Sequence, residues 1–237
     1  QAARSGNHAM IRFLLTFLPE QQHLRIVNMR DKDGKTVLQC AARSGNHECV
    51  ETVLALYPDS QYLQIVTMRD AEGKTLLHQA AQSGNSELLQ YLLNLWPEAQ
   101  RLEAVSMQDE RGTTVLHRTA ISGNLNAVKT ILSLYHESQQ PTMILMQDKR
   151  KRTVFHCAAI SGSYELMQFL LDVLPLSLHV DAVNMRDEKG KTVLHYAAES
   201  GNTGTFLVTL SLYPESQYLP IVNTVDIHRM TVVHYAA

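Results

Sequence analysis

"DKDGKTVLQCAARSGN", residues 31–46, decides the fold, because the chain repeats it. "DAEGKTLLHQAAQSGN" at 70–85, "DERGTTVLHRTAISGN" at 109–124, "DKRKRTVFHCAAISGS" at 148–163 and "DEKGKTVLHYAAESGN" at 187–202 fall on it residue for residue. Asp31, Asp70, Asp109, Asp148, Asp187 and Asp226 follow one another at a spacing of 39, without a gap. A fixed period of this length marks a repeat architecture. "QAARSGN" at residues 1–7 matches the middle of the block, and "DIHRMTVVHYAA" is its beginning, cut at Ala237. The expected organisation is a single array over 1–237. It has a partial repeat at 1–30, full repeats at 31–69, 70–108, 109–147, 148–186 and 187–225, and a partial repeat at 226–237. Both ends fall inside a repeat, so further chain is expected on either side.

Each repeat has a physical reading. Asp-x-x-Gly is a turn: Asp bonds the backbone two residues on, and Gly accepts positive φ. Thr36 and its equivalents cap a first helix, about 37–44, whose Ala-Ala pair allows close packing. Ser-Gly-Asn ends it with a residue suited to the left-handed region. Val50, Val53, Leu54 and Tyr57 follow i, i+3, i+4, i+7, a second helix with one apolar stripe. Neither helix buries its apolar face alone, so repeats must stack. Then come "YPDSQYLQIV", "WPEAQRLEAV" and "YPESQYLPIV". Pro58, Pro97, Pro175 and Pro214 end one helix and start another turn. Leu63 with Val66, Leu102 with Val105, and Leu219 with Val222 form i, i+3 apolar pairs. The insert reads as a short third helix packed under the outer layer. His136 replaces the proline in one repeat and Pro141 follows, so the outer edge there is expected to differ. Met68, Met107, Met146 and Met185 read as filler of the core.

Thr75-Leu-Leu-His78, Thr114-Val-Leu-His117, Thr153-Val-Phe-His156 and Thr192-Val-Leu-His195, each after Asp and before Ala-Ala or Thr-Ala, resemble the ankyrin repeat. The resemblance covers the whole chain. It departs in two ways: the proline of T-P-L-H is Val or Leu, and the period is 39 rather than ~33. It implies an all-α, ankyrin-like repeat solenoid, with a helix-turn-helix plus a short extra helix per repeat and finger-like turns. It also implies a protein–protein interaction module that binds through its concave face and turn tips, with no enzymatic activity and no cofactor. The alternative is the targeting or substrate-recognition module of a larger enzyme or secreted effector, with its catalytic domain outside this segment. Long-period arrays of such regularity resemble those of host-directed effectors of intracellular bacteria, which would place the chain in host cytoplasm.

Composition narrows the classes. Hydrophobic residues make up 45% and charged residues 19%, which excludes a disordered chain. No apolar run approaches a membrane span, and no secretory signal opens the chain. A formal charge of −2 argues against a general nucleic-acid binder. Three cysteines, Cys40, Cys49 and Cys157, without CxxC, fit a reduced, intracellular, cytoplasmic protein. Of eleven histidines, His78, His117, His156, His195 and His234 share one repeat position. Stacked helices lie ~8–10 Å apart, too far for these rings to meet on one ion. They are expected to bond the threonine or the finger backbone. There is no HExxH, P-loop or GxSxG, and no metal or catalytic set is expected.

The remaining signal is a surface. If Val37, Leu38, Ala41 and Ala42 face inward, then position 40 and its neighbours 43 and 44 face outward. At the equivalent positions Arg118, Ile121, Cys157, Ile160 and Tyr196 form an apolar strip flanked by charge, the look of an interface. Beside it, "MQDKRKRTVFH" (146–156) puts Lys149, Arg150, Lys151 and Arg152 on one turn tip. Lys151 stands where Gly34, Gly73, Gly112 and Gly190 stand, at a cost on the order of 1 kcal/mol if its φ is positive. A protein partner with an acidic patch is expected there. Polyanion binding is the rival, separable by a salt titration; a merely solvated turn is the plainest reading. Val232, Val233 and Ala236 make the last helix apolar, and all three are expected to be covered by more chain, a partner or a neighbouring molecule.

Overall fold

The structure is a computed structural model that describes residues 2–237. The chain divides into two compact units, Gln1–Val115 and Leu116–Ala237. Both are built from the same helical unit, so one repeat of each is enough to explain them.

In the first unit the turn at 31–35 is organised by Asp31. Its Oδ1 accepts from the backbone N–H of Asp33 and of Lys35, both at 2.9 Å, and its own N–H donates to the Lys35 carbonyl at 2.9 Å. Gly34 has φ 73°, and a Cβ added there would sit 2.7 Å from the Ala71 nitrogen of the next turn. Conformation and close approach both demand glycine. Thr36 then caps the helix Val37–Ser44: its hydroxyl accepts from Gln39 N–H, and the Gln39 side chain accepts from Thr36 N–H. Gly45, φ 75°, ends that helix, and Asn46 caps the next, His47–Leu54, by accepting from Cys49 N–H at 2.7 Å. Leu38, Ala41, Ala42, Val50, Val53 and Leu54 are all buried.

The insert is a single 3₁₀ turn, Asp59–Gln61, running into the helix Tyr62–Val66; one repeat on it is a continuous helix, Glu98–Ser106. The apolar pairing differs from the i, i+3 expectation. Ile65 with Val66, and Ala104 with Val105, are buried, while Leu63 and Leu102 are exposed. These short helices touch the core by their last turn, so adjacent residues go under together.

The second unit repeats the plan with Val154–Ser161 and Tyr164–Val173, then Val193–Glu199 and Thr203–Leu210. The outer edge at His136 does not differ as expected. The His136 ring accepts from Ser138 N–H in place of a proline start, and Pro141 lies in the first turn of Gln140–Leu145, where no backbone donor is needed. In the last helix, Val232–Tyr235, Val232 is buried against Leu194 and Ala198 of the preceding repeat. Val233 and Ala236 are exposed on the chain by itself.

Repeats are also tied by arginine. Arg30 Nη1 donates to the Gly34 carbonyl at 2.6 Å and to the Arg69 carbonyl at 2.7 Å, 39 residues on. Arg69 does the same to Gly73 and Gln108, and Arg186 to Gly190 and Val225. Among the described residues no single helix is long and apolar enough to cross a membrane.

Candidate partner-binding surface

The basic tip lies in the second unit and keeps the standard turn. Asp148 Oδ1 accepts from Arg150 and Arg152 N–H at 2.9 Å each, and Lys151 N–H donates to the Asp148 carbonyl at 2.8 Å. Lys151 has φ 59°, so it occupies the glycine conformation with a full side chain, as the spacing implied. Arg229 does so too, at φ 60°, one repeat beyond Gly190. Arg229 stands three residues after Asp226, as Lys151 does after Asp148.

The four basic residues have different fates. Lys149, Arg150 and Lys151 are exposed. Arg152 is folded back: its Nε and Nη2 donate to Asp148 Oδ2 at 3.0 and 2.7 Å, and the Asp148 side chain is fully buried. Arg152 therefore belongs to the fold rather than to the free tip. Arg150 Nε approaches Glu188 at 3.7 Å, a loose pair between exposed groups.

The expected apolar strip needs correction at Cys157. It is fully buried, and burial pushes its thiol up to about 12, so it presents nothing to a partner. Cys40 and Gln79, its equivalents, are buried as well. The reason is local: this helix position points at the aspartate of its own turn. Gln79 donates to Asp70 Oδ2, Tyr196 to Asp187 Oδ2 and Tyr235 to Asp226 Oδ2, each at 2.7 Å. Cysteine is a poor donor, and where Cys157 occupies the position Arg152 supplies the bond instead. The residues nine after each Asp are legible in the sequence, but helical spacing alone assigns them to the surface.

Arg118, Ile121, Ile160 and Tyr196 are half-buried. The helices carrying Ile160 and Tyr196 pack on one another. A Cβ on Gly123 would meet Ser161 at 3.2 Å, so the end of the helix Val115–Ser122, which carries Arg118 and Ile121, abuts the end of Val154–Ser161. Tyr196 is held on three sides: the bond to Asp187, the His156 ring set edge-on with centroids 5.9 Å apart, and Lys191 Nζ 5.0 Å from its ring centroid. Burial, then the Asp187 carboxylate, push its phenol well above the ordinary range.

The shared histidines act as expected. His156 Nδ1 lies 2.9 Å from Thr153 Oγ1 and accepts from Thr153 N–H at 3.1 Å, while Nε2 lies 3.0 Å from the Met185 carbonyl. That arrangement suits the neutral ring, with the proton on Nε2. His78 and His195 are placed alike, and His117 Nε2 faces the Met146 carbonyl. Burial lowers His117, His156 and His195, with His156 taken to about 4. The three cysteines are free and buried.

Stacked pairs of helices, a turn finger per repeat and a threonine–histidine cap define an all-α helical-repeat protein of the solenoid class. The family model described as "Ankyrin repeats (3 copies)" matches residues 1–64, 57–143, 99–176 and 135–218. The chain belongs to the ankyrin-repeat family. Such repeats are generally protein–protein interaction modules and typically non-catalytic. No protein of curated function matches it.

Proposed function

We propose that this chain is a non-enzymatic recognition module that binds a protein partner with an acidic patch. The contact comprises the exposed tip residues Lys149, Arg150 and Lys151 with the half-buried Arg118, Ile121, Ile160 and Tyr196. One observation carries the reading: a lysine is kept in a left-handed turn conformation that glycine fills in four sister repeats. Strained backbone conformations cluster at active sites, ligand clamps and switch regions. Free, buried thiols support an intracellular location.

The test is affinity capture with the intact chain, identification by mass spectrometry, and rebinding of the captured protein to variants. Ile160→Asp should speed dissociation, while replacing Lys149, Arg150 and Lys151 by "KDG" should slow association and flatten the salt response. Tyr196→Ala is a poor probe, because it also strips Asp187 of its donor. A captured protein that binds both variants as it binds the parent would refute the assignment.

A further inference from the structure

The turn tips of the two units differ in their balance of charge. In the first unit Asp33 pairs with Lys35 at 3.2 Å, and Glu72 with Lys74 and, at 2.8 Å, with Arg111, while Lys32 and Glu110 are exposed tip residues of opposite sign. In the second unit Lys149, Lys151, Lys189 and Arg229 are exposed, and none has a carboxylate partner among the described residues. Three consecutive tips are joined there by backbone. Glu188 N–H donates to the Arg150 carbonyl at 2.8 Å, and Ile227 N–H donates to the Lys189 carbonyl at 2.9 Å. Among the described residues the two non-glycine residues with positive φ, Lys151 and Arg229, lie on this row and are basic. Ile227, 64% exposed, is an apolar side chain at its far end.

We infer that these three tips form one basic ridge that takes an extended acidic peptide segment of a partner protein. This rests on the protein-recognition reading above and names the partner's chemistry. Repeats stack at roughly 10 Å, and an extended chain advances ~3.3 Å per residue. Carboxylates about three residues apart would therefore meet successive tips, with an apolar residue set against Ile227. Nucleic acid fits less well, since the exposed Ile227 offers nothing to a phosphate.

The experiment pans a displayed random-peptide library on the immobilised full chain. One enriched peptide is then synthesised and its binding followed by fluorescence anisotropy. Enrichment of acidic sequences with an apolar residue is expected. A variant with Lys149→Ala, Lys151→Gly, Lys189→Ala and Arg229→Gly should bind about tenfold or more weakly and with a flatter salt slope. Its melting temperature should not fall, because two left-handed residues become glycine; that readout separates lost contact from lost fold. Enrichment of non-acidic sequences, or none, overturns the ridge. An acidic peptide that responds to Ile160→Asp but not to the ridge variant overturns the ridge and leaves the concave contact standing; one that responds to neither removes both. A single-stranded oligonucleotide bound more tightly than the peptide overturns the peptide assignment.

Discussion

At the residue scale, adjacent basic side chains do unlike things. Lys151 is strained and free, so Lys151→Gly should stabilise the fold by about 1 kcal/mol, read as a higher urea midpoint at unchanged slope. Arg152 is the opposite case. Arg152→Met leaves the buried Asp148 carboxylate without its side-chain partner and should cost about 3 kcal/mol. A cost below about 0.5 kcal/mol would show that the two backbone donors suffice for Asp148. The sequence could not separate these two lysine-and-arginine neighbours by charge alone. The distinction lies in what faces each Asp Oδ2, and at 148 that depends on position 157 being a cysteine. The same blindness turned Cys157 into a surface candidate: helical spacing says which way a side chain points, but not that its own turn has already claimed the place.

At the scale of the element, the helix starts were the most legible part. A threonine before an apolar run, with a histidine three residues later, is a capping pattern with one physical solution, and it recurs at a constant interval. Gln39 shows that the ring itself is dispensable, for its amide accepts from Thr36 and donates to the Met68 carbonyl at 3.0 Å. His156→Gln should therefore be nearly neutral at pH 7, whereas His156→Ala should cost about 1–3 kcal/mol by orphaning buried groups. The two also separate in acid. His156 titrates near 4 when folded and near 6.5 when unfolded, so the unfolded chain binds the extra proton. Its contribution is complete above about pH 6.5 and is lost as pH falls toward 4, at about 1.4 kcal/mol per pH unit. His156→Gln should flatten the urea midpoint against pH over that window; an unchanged slope would place the acid sensitivity in the other rings. The outer helices were less legible. Their length admits a single contacting turn, and an i, i+3 pattern read over so few residues does not say which turn touches.

At the scale of the whole molecule, burial is uneven along the chain. The helix His8–Thr16 buries Ile11 alone, whereas Ser86–Asn94 buries four leucines and Tyr164–Val173 buries Leu166, Met167, Leu170 and Leu171. Local opening free energy follows buried apolar contact. Amide exchange should be fastest in His8–Thr16 and Val232–Tyr235, and slowest in Ser86–Asn94 of the first unit and Tyr164–Val173 of the second. Uniform protection along the chain would contradict this. The arginine ties add a mechanical consequence. Arg186 holds its own turn and the equivalent carbonyl of the next repeat, but the corresponding Gln147 reaches only the Lys151 carbonyl, at 3.1 Å. Pulled from its ends, a chain held together by neighbour-to-neighbour bonds yields link by link. Each 39-residue link that lets go would lengthen the tether by ~140 Å of contour, and within the second unit the seam behind Gln147 should part at lower force than the one behind Arg186.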